Sequence, residues 1–558
     1  MKSIKFVKIL KEKIPKIKPE IFLLLILVFA LFLRLYFFNG LHGHDDWVYL
    51  FYVRSLYHGL TSEVFNSLWG LRLVVIFPML FLFKIFQPSF VLAFLPTFLF
   101  SMGSVVLAYL IPLGVYKNYR VALLSALFAS FYPLDAFIGT TIRGDVELLF
   151  FSGLSFYFFV KSYNLKNSTQ NNIHQKYPKL SKKPAIFLIL SGISAYLAYM
   201  SKDIGILIIF SYFAIFCYDS ISKKKIQFKY LFIIVGVLML FSLECFFYRA
   251  VTGNWLQRYE QGSMWYTKMY ERGDYKNDPT TNYMFIPCFL FNIQSEYCNK
   301  VTGSDNFTNS YFVEGSYHLS GFFFYPTIFF SVVLLLKKEK NSYIFIIWLV
   351  SILLFIAFGS MSLQYYAPFH KEPRYFTIVS LPVMIILARG FDFVLKPLKS
   401  RERERKSKKI RRKLLYYFSI SFIAFLLLSS FVILYRAHNE YIQRNKHAEE
   451  VYDFFKYKTE ANVYADTMIA QELNLRSHYT HPEPVHNFLG ENGYGFIEDL
   501  AFLKCDDSKP YYIVVTEKFK WEVYENLKPC INLGEMKPVK VFMDSQTDEG
   551  ETRVYYLV

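Results

Sequence analysis

The sequence predicts a polytopic α-helical membrane protein of about eleven transmembrane helices, followed by a small extracytoplasmic α/β domain. Three observations carry this expectation. Of 558 residues, 54% are hydrophobic and 20% aromatic, too apolar for a soluble chain of this size. The apolar residues come in blocks approaching the ~20 residues that span ~30 Å of hydrocarbon as helix. In lipid the helix satisfies every backbone polar group within its own segment. The basic residues, which give a net charge of +18, gather in short segments between the blocks. That is the positive-inside pattern, and it accounts for the charge without nucleic acid.

The first block, "IFLLLILVFALFLRLYFF" (21–38), follows seven lysines and lacks a small-residue cleavage site, so it is expected to stay as a helix with a cytoplasmic N-terminus. It delivers the chain outside at "FNGLHGHDDWVYLFYVRSLYHG" (38–59), where Asp45 and Asp46 stand side by side. The next apolar stretch, 71–86, is short and carries Arg72, Pro78 and Lys84. If it crossed, the basic segments 161–183 and 223–225 would fall outside, against the charge rule, so it is expected to lie along the surface or only dip in.

Further helices are expected at 91–115, 121–138, 146–160, 185–200, 204–218 and 230–250. After a long polar outer loop, 251–319, come 320–336, 342–358, 375–394 and 414–434. On this path the six inner segments hold 33 Lys and Arg, whereas the short outer turns hold four, Arg143, Lys202, Lys371 and Arg374. The asymmetry sets the orientation. The transmembrane domain is thus 1–435, with outer loops 39–90 and 251–319, and 436–558 is a separate outer domain of about 120 residues, a common domain size. There "AEEVYDFFKYK" has helical spacing, while "ANVYADT", "PYYIVVTE" and "ETRVYYLV" have the β-branched and aromatic character of strands. Cys288, Cys298, Cys505 and Cys530 all fall in the outer segments, so Cys288–Cys298 and Cys505–Cys530 disulfides or free thiols are both open. The cysteine spacings match no zinc motif. Of two glycosylation sequons, Asn306 lies outside and Asn167 inside.

The path brings the polar residues of the outer helix ends to one side: Asp45, Asp46, Arg143, Asp145, Glu147, Lys202, His370, Glu372 and Arg374. Ionisable groups at membrane depth are costly and tend to serve substrates or partners. A carboxylate can act as general base on a hydroxyl, and Arg, Lys and protonated His hold phosphate through charge-assisted hydrogen bonds. The set suits transfer from a phosphate leaving group to an alcohol. Plainer roles stand beside this one. Asp45 can cap the helix that starts near it, Arg143 and Asp145 can form an interfacial ion pair, and Lys202 and Lys371 can snorkel. "HGHDD" also offers His42, His44 and a carboxylate, or the carboxylates Asp45 and Asp46 alone, to a divalent cation.

The arrangement resembles the C-type membrane glycosyltransferases (GT-C fold), and within them family 39, the branch of the protein O-mannosyltransferases and the aminoarabinose transferase of lipid A. That branch has an outer Asp-Glu pair after the first helix, with Tyr four residues past the Asp, then Arg, Leu and Gly. Asp45, Asp46, Tyr49, Arg54, Leu56 and Gly59 follow this order. "VALLSALFASFYPLDAFIGTTIRGDVELLFF" matches the family's helix leading to an outer acidic turn. Lys202 with Gly205, and "EPRYFTIVSLPVMIILARG", match two further motifs. The likeness covers 21–395. The chain departs from it with Asp46 in place of Glu and with Val48 where a relative has Arg, which bears on the sugar donor. The Trp-Trp-Asp-Tyr-Gly string of oligosaccharyltransferases does not occur, which disfavours transfer of a whole glycan to Asn.

What the resemblance implies is an inverting glycosyltransferase that moves a sugar from a polyprenyl phosphate, dolichyl or undecaprenyl, to an acceptor hydroxyl of a lipid, glycan or protein. Asp45 would be the general base, and Asp46 would orient the acceptor or hold a cation. Arg54, Arg143, Asp145, Glu147, Lys202, His370 and Arg374 would bind substrate. The alternative is a flippase for lipid-linked sugars or another polytopic transporter. Against it, the halves show no inverted repeat and no paired broken helices.

Overall fold

The computed structural model describes residues 18–40, 44–170, 182–271, 312–360, 373–395, 406–455, 462–465, 511–516, 540–543 and 551–557. The expected calls on His42, His370, Glu372, Lys371, Asn306 and the four outer cysteines lie outside these residues. Cys217 and Cys245 are free thiols.

Helix α1 (Pro19–Tyr36) leads into α2 (His44–Tyr57), a short α3 (Thr61–Phe65) and α4 (Leu73–Ile85). At 13 residues, α4 is about 20 Å long, short of a bilayer crossing. Then follow α5 (Phe90–Tyr116), α6 (Tyr119–Phe131), α7 (Pro133–Ile138), α8 (Gly144–Gln170) and α9 (Lys182–Ser201). After the 3-10 turn Asp203–Ile206 come α10 (Leu207–Ser222), α11 (Leu231–Thr252), α12 (Gln257–Glu271), α13 (Phe312–Leu336) and α14 (Tyr343–Phe358). A second 3-10 turn, Pro373–Val379, opens onto α15 (Ser380–Leu395), and α16 (Lys406–Phe455) ends the helical part.

Eight described helices are long and apolar enough to cross a membrane: Pro19–Tyr36, Val91–Tyr116, Lys183–Ser201, Asp203–Ser222, Phe228–Thr252, Lys340–Phe358, Arg374–Leu395 and Lys413–Asn439. The chain is a multi-pass membrane protein. The expected span 121–138 is broken at Tyr132, because Pro133 removes a backbone donor and forces the preceding residue out of helical conformation. The span 146–160 lies inside the 27-residue α8. The expected loop 251–319 contains α12 and the first turns of α13, so it is not all loop. The expected last span, 414–434, lies inside α16, which continues unbroken to Phe455.

The core is built around α15, whose residues Ser380–Asp392 are all buried. Leu381, Met384, Leu387 and Phe391 pack with Phe128 of α6, Phe156 of α8 and Trp348 of α14 in one cluster. Helices α1, α11 and α16 are largely exposed along apolar faces, as lipid-facing helices must be. Small residues bring neighbours close. A Cβ on Gly192 of α9 would lie 2.0 Å from the Ile233 carbonyl of α11, and one on Gly236 would lie 2.1 Å from the Ile189 carbonyl. The two glycines let α9 and α11 cross backbone to backbone, the means by which membrane helices associate without a hydrophobic driving force. Ser155, Ser191 and Tyr212 tie α8, α9 and α10 by buried hydroxyl hydrogen bonds of 2.6 to 3.3 Å.

At one end of the bundle basic residues meet acids: Asp219 binds Lys223 at 2.8 Å and Lys229 at 3.3 Å, and Arg389 binds Asp392 at 3.0 Å and Glu339 at 3.2 Å. Asp45, Asp46, Arg143, Asp145, Lys202 and Arg374 gather at the other.

Beyond α16 four described strands form one sheet, β1 (Asn462–Ala465), β2 (Tyr511–Thr516), β3 (Lys540–Met543) and β4 (Glu551–Leu557), in the order β1-β2-β4-β3. β1 and β2 are parallel, and the other two pairs are antiparallel. Three strands fall on the β-branched runs of the sequence, and β3 was not anticipated. The helical spacing of "AEEVYDFFKYK" belongs to the end of α16, which runs to Phe455.

Candidate active site

The local sequence explains how each charged group is presented. Asp45 and Asp46 fall in the first turn of α2, inside the helix instead of at its cap, where carboxylates are favoured by the helix dipole. Arg143 precedes α8, and Asp145 lies in its first turn. Lys202 stands in extended backbone between α9 and the turn at Asp203. Arg374 belongs to the turn that leads into α15.

These residues pair across the fold. Arg374 donates to Asp45 from 329 residues away. Arg143 Nε lies 3.8 Å from Asp46 Oδ1. Lys202 Nζ donates to Asp145 Oδ1 at 2.7 Å and sits over the Tyr375 ring at 4.5 Å. Asp46, Arg143, Asp145 and Lys202 are all buried. The interfacial Arg143–Asp145 pair considered from the sequence gives way to these partners, and Lys202 is buried against a carboxylate instead of snorkelling. Buried charges persist only when paired, since breaking such a pair costs about 3–5 kcal/mol.

Burial alone would raise the Asp45 carboxyl, but Arg374, then Arg143, Lys202 and Arg72, outweigh it and hold the group below the usual carboxylate range. Arg72, which the sequence offered only as an obstacle to a spanning helix, donates to the Tyr49 hydroxyl at 2.5 Å. Burial raises the Tyr49 phenol above its ordinary value, so it stays protonated.

Two expected residues sit apart. Arg54 is nine residues along α2 from Asp45, about 13 Å by helix rise, and its charge is felt by His58. Glu147 is buried on α8 and accepts from Thr97 Oγ1 at 3.1 Å, while its other oxygen has no hydrogen-bond partner among the described residues. Among the described residues no group of three or more His, Cys, Asp or Glu is arranged to hold a metal ion. Reasoning from sequence missed Tyr49's partner Arg72, and Asp203, Glu244 and Arg258. The signal was there in part, as charges in or beside apolar runs.

The fold and this charged end define a class: the chain has the fold of the GT-C membrane glycosyltransferases. It superposes on ArnT from Cupriavidus metallidurans in the apo state with a TM-score of 0.53 at 12% identity, covering 96% of this chain and 97% of that one. The same protein bound to undecaprenyl phosphate gives 0.51 at 11% identity with the same coverage. The apo oligosaccharyltransferase of Archaeoglobus fulgidus gives 0.51 at 13% identity, over 91% of this chain and 71% of that one. More narrowly, residues 21–256 match the family model of dolichyl-phosphate-mannose-protein mannosyltransferase, so the resemblance is to family 39 within that fold. A search of curated protein sequences finds no match. The chain is a multi-pass membrane protein with the fold of these glycosyltransferases.

Proposed function

We propose that the chain moves a sugar from a polyprenyl phosphate to an acceptor hydroxyl at the extracytoplasmic face, by one inverting displacement. The observation that carries this reading is the Asp45 carboxylate, ion-paired to Arg374 and surrounded by the charges of Arg143, Lys202 and Arg72. A lipid-borne donor explains why such a site belongs to a multi-pass protein, because the polyprenyl chain stays in the bilayer. The ArnT structure with undecaprenyl phosphate supports a lipid phosphate as ligand of this fold.

In the proposed step the acceptor oxygen attacks the anomeric carbon as its proton passes to Asp45. The bond from that carbon to the phosphate oxygen breaks, and polyprenyl phosphate leaves with the electron pair. Arg374, Arg143, Lys202 and His370 neutralise the leaving phosphate by charge-assisted hydrogen bonds. While Arg374 holds it, Asp45 is a weak base. A phosphate that takes Arg374 leaves the carboxylate with one fewer cation and raises its basicity, so donor binding readies the base. Asp46, against Arg143, orients the acceptor, and Asp145 positions sugar or acceptor; Glu147, bound to Thr97, lies apart from the cluster. Arg54, about 13 Å along α2 from Asp45 by helix rise, binds a more distant part of the substrate. Asp45 faces the Arg374 guanidinium and Asp46 that of Arg143.

The test is sugar release from a labelled polyprenyl-phosphate donor by the protein in membranes and in detergent. Asp45→Asn is expected to lower transfer about a hundredfold or more. Near-normal activity of that variant removes the base role, and a wild type that moves the donor across the bilayer without releasing sugar favours the flippase.

A further inference from the structure

Behind the proposed site lies a second layer of buried charge that the chemistry above leaves unused. Asp203, directly after Lys202, accepts from Arg258 Nη2 at 3.0 Å through one oxygen, and its other oxygen is 3.8 Å from Arg72 Nη2. Arg258, second residue of α12 and 5% exposed, also donates to the carbonyls of Leu71 at 2.9 Å and Tyr199 at 2.8 Å. Its guanidinium lies over the Tyr199 ring at 4.6 Å, with Glu244 Oε1 3.7 Å away. Arg72 reaches on to Tyr49, one turn along α2 from Asp45. One carboxylate therefore joins the end of α9, the start of α12, the entry to α4 and the helix that bears the proposed base.

We infer that Asp203 is a positioning residue, which divides its charge between Arg72 and Arg258 and so fixes Arg72, Tyr49 and the Lys202 turn against Asp45. The inference rests on the reading of the cluster as a lipid-phosphate site. The physics is a matter of competition. A buried guanidinium has to find an anion. With Asp203 neutral, Arg72 keeps its bond to Tyr49, one turn from Asp45, and the Asp45 charge that it already feels draws it toward the base. Arg72 then contends with Arg374 for the base. The site meanwhile gains one net positive charge, so an arriving phosphate is bound no less well. A residue that only stabilises the fold produces neither effect, and a residue that only binds phosphate loses affinity together with rate.

The experiment uses the full chain in nanodiscs, with wild type, Asp203→Asn and Asp203→Glu. Affinity is measured with sugar-free undecaprenyl phosphate, and turnover with labelled polyprenyl-phosphate sugar, each per folded molecule. A wild type that releases no sugar from such donors removes the functional reading, and the inference with it. Given release by wild type, Asp203→Asn is expected to lower kcat about ten- to hundredfold, the scale of a misplacement near 1 Å. Its Kd for undecaprenyl phosphate is expected to stay at or below that of wild type, and Asp203→Glu, which restores the charge, is expected to recover most of kcat. Unchanged kcat in Asp203→Asn, a Kd that rises in step with the loss of kcat, or a Glu variant no better than Asn overturns the inference while leaving the function standing. If Asp203→Asn does not fold, Arg258→Lys serves in its place. It keeps the charge but lacks the fork, so a lower kcat at unchanged Kd supports the inference and wild-type kcat overturns it.

Discussion

Asp45 is held by more positive charge than a lone carboxylate needs, and that has a consequence for pH. Burial pushes its carboxyl up, while Arg374, Arg143, Lys202 and Arg72 together bring it below the usual range. A carboxyl whose folded value is depressed contributes stability above its unfolded value, near 4, and loses it as pH falls through the folded value. The Asp45–Arg374 pair therefore contributes fully and evenly from about pH 5 to 8. Asp45→Asn is expected to destabilise the protein by about 2 kcal/mol across that window, the scale of a hydrogen bond to a charged group. The difference in melting temperature between wild type and variant, taken at pH 7, 5 and 3, checks the sign. It should be flat between the first two and shrink at pH 3. A difference that is already fading at pH 5 shows the carboxyl to be less depressed than its surroundings imply.

At the scale of elements, the pairing depends on how two helix ends approach. Gly144 opens α8 against the end of α9, and a Cβ there would lie 2.4 Å from the Ser201 carbonyl oxygen. Gly144→Ala must push the Arg143–Asp145 turn away from Lys202, and the 2.7 Å ion pair between Asp145 and Lys202 lengthens. Transfer is expected to fall about tenfold or more, with cross-linking of cysteines placed at 145 and 202 falling as well; normal rates and normal cross-linking would mean the backbone gives way elsewhere. This approach was not legible in the sequence. The sequence showed where most apolar helices lie, because each needs only local composition, and it marked Asp45, Asp145, Lys202 and Arg374 as costly charges at helix ends. It did not show their partners. Lys202 meets Asp145 across 57 residues and Arg374 meets Asp45 across 329, and such pairings are set by tertiary packing with no local signature. For the same reason Arg72 read as an oddity in an apolar run.

For the whole molecule, what matters is that the acids and cations of the proposed site share one end while the described clusters around Asp219 and Arg389 share the other. The structure brings the first set together through α2, α8, α9 and the turn before α15, and the clusters around Asp219 and Arg389 lie at the opposite end. The charge asymmetry of the sequence, 33 Lys and Arg against four, predicts that the Asp45 end is extracytoplasmic. Helix α11 offers a direct check, because it separates Lys225 from Glu260 by one apolar span, Phe228–Thr252, and both residues are exposed. In a variant with its six cysteines replaced, Glu260→Cys is expected to react with an impermeant maleimide in intact cells, and Lys225→Cys only after the membrane is opened. Labelling of both from outside would mean that α11 does not cross. The reverse pattern would put the Asp45 cluster on the cytoplasmic side, where a donor presented at the outer face could not reach it.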